Sequence, residues 1–267
     1  MSDSYVVRLE RLRAELRDIL RGKGKIIADN ITLTDLINMV DGLSVNGAIA
    51  SLLSNSQPTF ELVDTDGVIT TIKADGLKGS KVSKIVLPYL TDSYSGCFQN
   101  CTSATEISVG SADITTEVRT GFIRGCTSLV TANFGDIYIP ESGTYHFAEC
   151  TNLKIIKFNK FLRIQGGSHF LGNTSLKIVD FGTTEDLSSP NTNSFNNCSS
   201  IKAIVLRNTT MVTSRTASMF DWLKNGATDW YIYVPDALVT TYQADSVWSN
   251  YNFKPLSEYD ENAILNG

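Results

Sequence analysis

Between Phe98 and Leu206 the chain repeats one apolar pattern five times, as "CFQNCTSATEISVG", "GFIRGCTSLVTANFG", "HFAECTNLKIIKFN", "HFLGNTSLKIVDFG" and "SFNNCSSIKAIVLR". The anchoring aromatics Phe98, Phe122, Phe147, Phe170 and Phe195 follow one another at 24, 25, 23 and 25 residues. After a small residue (Cys101, Cys126, Cys150, Asn173 or Cys198), apolar side chains recur at the third, sixth and eighth positions. These are Ala104/Ile107/Val109, Leu129/Ala132/Phe134, Leu153/Ile156/Phe158, Leu176/Val179/Phe181 and Ile201/Ile204/Leu206. Alternation between the sixth and eighth positions requires a strand with those side chains turned inward. A fixed period of this length marks a solenoid, so the fold is predicted to be mainly β, with stacked rungs forming a parallel sheet over a column of Phe rings.

The pattern weakens at both ends. "GSKVSKIVLP" (79–88) is a degenerate opening unit with Val82, Ile85 and Leu87 at the core positions, and "DWYIYVP" closes the array with Ile232 and Val234. The solenoid is therefore placed at 79–235. Upstream, "TFELVDTDGVITTIKADG" alternates on both sides of Asp66-Gly67, which predicts a β-hairpin cap over 58–78. Downstream, 236–267 is read as a C-terminal cap and tail, with a short helical stretch and with Tyr242, Trp248, Tyr251 and Phe253 shielding the last rung.

Residues 1–57 form a separate helical segment, predicted to anchor and oligomerise the chain. Tyr5, Leu9, Leu12, Leu16 and Ile19 fall at 4-3-4-3 spacing, the seam of an amphipathic helix over 3–20. The seam is either a self-association face or a face packed on the same chain. "RGKGK" lacks the context of a phosphate loop, and Thr32 or Thr34 caps a second short helix that stops at Gly42.

The outward strand positions, fifth and seventh after the small residue, run Glu106/Ser108, Thr131/Asn133, Ile155/Lys157, Ile178/Asp180 and Ala203/Val205. That face is polar at first and apolar over the last three rungs. Ile155, Ile178, Ala203 and Val205 make a stripe that either meets a partner or lies under the C-terminal segment.

The net charge of the 267-residue chain is −5, and its basic residues are scattered beyond the first 25 positions, which argues against a nucleic-acid or anionic-membrane surface. No stretch is long and apolar enough to predict membrane insertion, and the N-terminus lacks a secretory signal. A chain starting there is expected to be made in a cytoplasm. The five cysteines include no CxxC pair and read as a column of buried thiols, with no disulfide or metal framework. His146 and His169 stand one rung apart, about 5 Å by strand spacing. Other units are read as placing Cys97, Gly121, Ser194 and Met219 there, so no third ligand repeats, and the pair reads as two solvated turn histidines. No triad, carboxylate pair, metal set or cofactor motif emerges, and the chain is read as non-enzymatic.

The phrase F–x–x–C–T/S–x–L–x–x–I–x–F/L, as in "FAECTNLKIIKF" and "FNNCSSIKAIVL", resembles the BspA-like leucine-rich-repeat family. The closing "YIYVPDALVTTYQADSVWSNYNFKPLSEYD" is similar to the end of that family's arrays. The resemblance implies a right-handed solenoid used for display, adhesion or partner binding, with no catalytic residues to carry over. "ILRGKGKIIADNITLTDLINMVDGL" is similar instead to the openings of phage tail and baseplate proteins. Together these suggest a virion component, a tail-tip, baseplate or receptor-binding protein assembled in the host cytoplasm. Its expected partners are other virion proteins, or a host cell-surface protein or glycan. The alternative is a surface adhesin on a bacterial cell.

Overall fold

The computed structural model describes residues 59–140, 143–163, 167–187, 192–215 and 220–267, together with Ala14, Arg17 and Asp18. The chain divides into two compact units, Met1–Ser51 and Leu52–Gly267. In the first, Ala14, Arg17 and Asp18 are helical. The seam residues Tyr5, Leu9, Leu12, Leu16 and Ile19, and the second short helix, lie outside the described residues.

The second unit is a parallel-sheet solenoid of about eight turns. Strands β1 (Phe60–Val63), β3 (Val82–Leu87), β5 (Glu106–Val109), β7 (Thr131–Tyr138), β8 (Ile155–Arg163), β9 (Ile178–Asp180), β11 (Ala203–Val205), β13 (Tyr231–Val234) and β14 (Phe253–Pro255) lie side by side in chain order. The register carries Ile85 to Ile107, Ala132, Ile156, Val179, Ile204, Ile232 and Phe253, so the inward position is kept on every rung. All of these residues are buried. Below them Phe147, Phe170 and Phe195 stack rung on rung, with Phe147–Phe170 centroids 5.4 Å apart and Phe170–Phe195 4.9 Å, and Phe98 stands at the same level two rungs earlier. Each such contact adds about 0.5–1.5 kcal/mol beyond the area it buries.

One aromatic steps out of this column. Phe98 N–H donates to the Phe122 carbonyl, and Ile123 N–H donates to that of His146. Ile123 is therefore level with Phe98 and Phe147, while Phe122 is level with Cys97, His146, His169 and Ser194. The extra residue between Phe122 and Cys126, compared with Phe147 and Cys150, shifts the ring by one place. Phe122, not Gly121, is thus the residue equivalent to the two histidines. Its ring still packs 5.3 Å from Phe98 and 6.4 Å from Phe147.

A second parallel ladder runs beside the first. It joins β2 (Thr71–Ile72), β4 (Asp92–Ser93), β6 (Thr115–Val118), the C-terminal halves of β7 and β8, then β10 (Thr183–Leu187) and β12 (Ser214–Arg215). This ladder corrects the hairpin expected at Asp66-Gly67. β1 pairs with β3 and β2 with β4, both in parallel, and β1 does not pair with β2. The Asp-Gly bend is present, with Gly67 at φ +76°, but it is a corner of the first coil. The Asp64 carboxylate organises the corner by accepting from the N–H groups of Asp66 and Ile69. An isolated hairpin would leave the β3 edge unpaired, whereas this arrangement caps both ladders.

Past the last full rung, α1 (Asp221–Gly226), α2 (Val239–Ala244) and β14 close the core. Tyr242, Trp248, Tyr251 and Phe253 are buried there, as the C-terminal cap requires. The Trp248 Nε1–H donates to the Val212 carbonyl, and the Tyr242 hydroxyl accepts from Val212 N–H, so both polar tips are satisfied.

Candidate interaction surfaces

Outward side chains of the main sheet form two rows. One runs Glu61, Lys84, Glu106, Thr131, Ile155, Ile178, Ala203, Tyr231, and the other runs Val63, Val86, Ser108, Asn133, Lys157, Asp180, Val205, Tyr233. The N-terminal half meets solvent, with Glu61 and Asn133 exposed and Lys84 bridged to Glu106 at 3.1 Å. The C-terminal half does not. Ile155, Ile178, Ala203 and Val205 form the expected stripe but are at most 4% exposed, so they offer no free surface.

Their cover is the chain's own tail. The helix α3 (Glu261–Asn266) and the turn before it lay Leu256, Tyr259, Ile264 and Leu265 over the stripe. Asp260 caps α3 by accepting from Ala263 N–H at 2.9 Å. Lys157 pairs with Glu261 at 2.6 Å at the start of the helix, where an anion is favoured. Lys177 Nζ donates to the carbonyls of Ile264 and Leu265 at its end, where a cation is favoured. Arg207 makes a two-pronged contact with the buried Asp180 and lies over the Tyr259 ring, while Tyr259 packs edge-on to Tyr233. Burial, with Glu261 and Asp180 nearby, pushes the Tyr259 phenol up.

On the turn side, two columns of left-handed backbone run along the solenoid. Asp75, Gly96, Gly121, Tyr145 and Ser168 hold positive φ in one, and Gly79, Asn100, Gly125, Glu149, Gly172 and Asn197 in the other. Gly, Asn and Asp adopt this conformation readily, but Tyr145 (φ 57°), Glu149 (φ 60°) and Ser168 (φ 60°) do not. Such residues cost on the order of 1–3 kcal/mol each. Tyr145 and Glu149 share a rung and converge on one side chain. Glu149 accepts from both Nε and the Nη2 group of Arg124, at 3.0 and 2.7 Å, and the guanidinium lies 4.8 Å over the Tyr145 ring. The Glu149 hydrogen bonds push the Arg124 pKa up. Arg124 and Tyr145 line a cleft of about 280 Å³ with Ala74, Asp75, Ser95, Gly96, Gln99, Thr120 and Gly121.

The two histidines are not solvated, contrary to expectation. Both are wholly buried, with ring centroids 4.8 Å apart and Nδ1 atoms at 2.8 Å. Burial, and secondarily the facing His169, hold the His146 pKa well below its ordinary value. Among the described residues no group of three or more His, Cys, Asp or Glu is arranged to hold a metal. The cysteines are all free and buried, and four thiols donate to the carbonyl of the preceding rung. All of these side chains are buried and take part in the packing of the core.

No described helix is long and apolar enough to cross a membrane. None of the curated proteins compared matches the chain. The family model for the BspA type leucine rich repeat region matches residues 55–138 and 133–224, in six copies. Its matched span is the stacked-rung core described above and takes in more than half of the residues, so the chain belongs to the BspA-type leucine-rich-repeat family.

Proposed function

We propose that this chain is a non-catalytic recognition module that binds a protein partner through the uncovered N-terminal half of its sheet face. The observation that carries the reading is the asymmetry of that face. Its apolar rungs are sealed by the tail, while the rows from Glu61 to Thr131 and from Val63 to Asn133 stay open and mostly polar. A polar, rigid, pre-formed surface pays little ordering cost on binding and gains specificity from charge placement. Members of the family are typically interaction scaffolds and often surface-associated, which supports the same role.

Within that role, the phage-like N-terminal segment favours a tail-tip or baseplate component that attaches a virion to its host. Several copies joined through the Tyr5–Ile19 seam would raise avidity from weak single contacts. The family match favours the alternative, a bacterial surface adhesin. Fractionation separates them: the chain bands with virions in the first case and with cell envelopes in the second. Deleting residues 1–25 should lower the mass measured by light scattering, and an unchanged mass would remove the seam from the account. Glu106→Lys with Asn133→Arg should abolish capture of the partner recovered by the wild type. Undiminished capture would move the binding site off this face.

A further inference from the structure

Away from the sheet face, the cleft between the turns carrying Asp75, Gln99 and Tyr145 has the makings of a ligand site. Its floor is open because Gly96 and Gly121 stand where the flanking rungs carry Asp75 and Tyr145. A Cβ at Gly96 would lie 2.5 Å from an Asp75 carboxylate oxygen and 3.1 Å from the Gln99 amide oxygen. At Gly121 it would lie 4.0 Å from that same amide oxygen. The carboxylate and the amide thus reach into the space the two glycines leave. Ser95, Thr120, Arg124 and Tyr145 complete the lining.

The charges at the cleft are already matched. Asp75 pairs with Lys78 at 3.1 Å, and Arg124 with Glu149 at 2.7 Å. An ionic ligand would therefore find no net counter-charge, and an apolar one would take water from the Gln99 amide and the Asp75 carboxylate without offering either a new hydrogen bond. Hydroxyl groups on a ring suit a wall that combines planar acceptors, donors and one aromatic side chain. With a volume of about 280 Å³, the cleft sits at the small end of ligand pockets, the size of one or two sugar rings and too short for a folded partner. Tyr145 is held before any ligand arrives, by Arg124 across its face and by its own left-handed backbone. Preorganisation of this kind lowers the ordering cost of binding a small polar ligand.

We infer that this cleft binds a neutral pyranose, with the Gln99 amide and the Asp75 carboxylate hydrogen-bonding its hydroxyls and Tyr145 packing against its carbon face. A single such subsite gives weak affinity, with Kd about 1 mM, and gains strength by repetition on an oligomer. The site is independent of the sheet face, so either can fail without the other.

The test uses the full chain and four probes, the methyl glycosides of glucose, galactose, mannose and N-acetylglucosamine, in saturation-transfer NMR. At least one probe should receive saturation. Gln99→Ala should weaken its binding by about tenfold or more, through loss of the amide's hydrogen bonds to the ring hydroxyls. Gly121→Asn should do the same, because Asn tolerates positive φ, as at Asn100 and Asn197, while filling the floor. Lys202→Ala, outside both the cleft and the sheet-face rows, should leave binding unchanged. If Gly121→Asn does not fold, Gln99→Ala decides alone. No transfer from any of the four probes, or undiminished binding in a folded cleft variant, overturns the assignment.

Discussion

His146 and His169 meet inside the solenoid through their Nδ1 atoms, 2.8 Å apart and wholly shielded from water. Two neutral rings make that contact only if one Nδ1 carries a proton and the other accepts it. A second proton would set two donors face to face in a medium that solvates charge poorly. Because burial lowers the folded pKa of His146, the unfolded chain binds more protons as the pH falls below about 6.5, the ordinary histidine value. The stabilisation is fully present above that pH and is lost on acidification. Phe122 occupies the same place one rung earlier, so the column accepts an apolar ring. His146→Phe with His169→Phe should therefore fold and should flatten the decline in Tm between about pH 7 and pH 5. A decline as steep as the wild type's would assign the acid sensitivity to other groups.

The tail makes a separate claim. Ile178 is fully buried beneath α3, so Ile178→Asp places a carboxylate among Ile155, Ala203 and Leu265 without a partner. A loss of about 3 kcal/mol or more is expected in chemical denaturation, with faster amide exchange across 261–266. A stripe that awaited a partner would give the opposite result: unchanged stability and weaker binding.

Asn173 stands in the cysteine column and does more than a thiol does. Its Nδ2 donates to the Phe147 carbonyl at 2.8 Å, as Cys150 and Cys198 donate one rung before and after, and its Oδ1 also accepts from Cys150 N–H at 2.8 Å. Asn173→Ala leaves both backbone groups unpaired and should cost about 2–4 kcal/mol. Asn173→Cys restores the donor alone and should fall between the two, as read from urea midpoints.

Burial pushes the Cys198 thiol up to about 12. At pH 8 its reactive thiolate is then about one part in ten thousand. Iodoacetamide should leave Cys198 unmodified in the native protein and label it promptly in denaturant, as peptide mass mapping would show. Rapid native labelling would mean that this rung opens.

The sequence by itself determined the rungs. The return of Phe and of the small residue at near-constant spacing, with inward residues at the sixth and eighth positions, leaves no other way to bury five such units than by stacking them. It also announced the outward stripe, because strand alternation assigns faces without any knowledge of the fold. Tertiary structure decided whatever depends on residues far apart in the chain. An alternating Asp-Gly segment is the same string whether its arms pair with each other or with the next coil, and only the unpaired β3 edge selects the coil. The apolar stripe is complete in the sequence, yet its cover comes from Leu256–Leu265, placed there by Lys157 and Lys177 across a long separation. Phe122 and Ile123 exchange roles because backbone register outweighs the motif. The strained pair Tyr145 and Glu149 has no signature in its own residues, since strain appears only once stacking forces their rung to turn where the rung before carries Gly121 and Gly125. Local chemistry writes the repeat, and packing between repeats chooses which of its surfaces stay open.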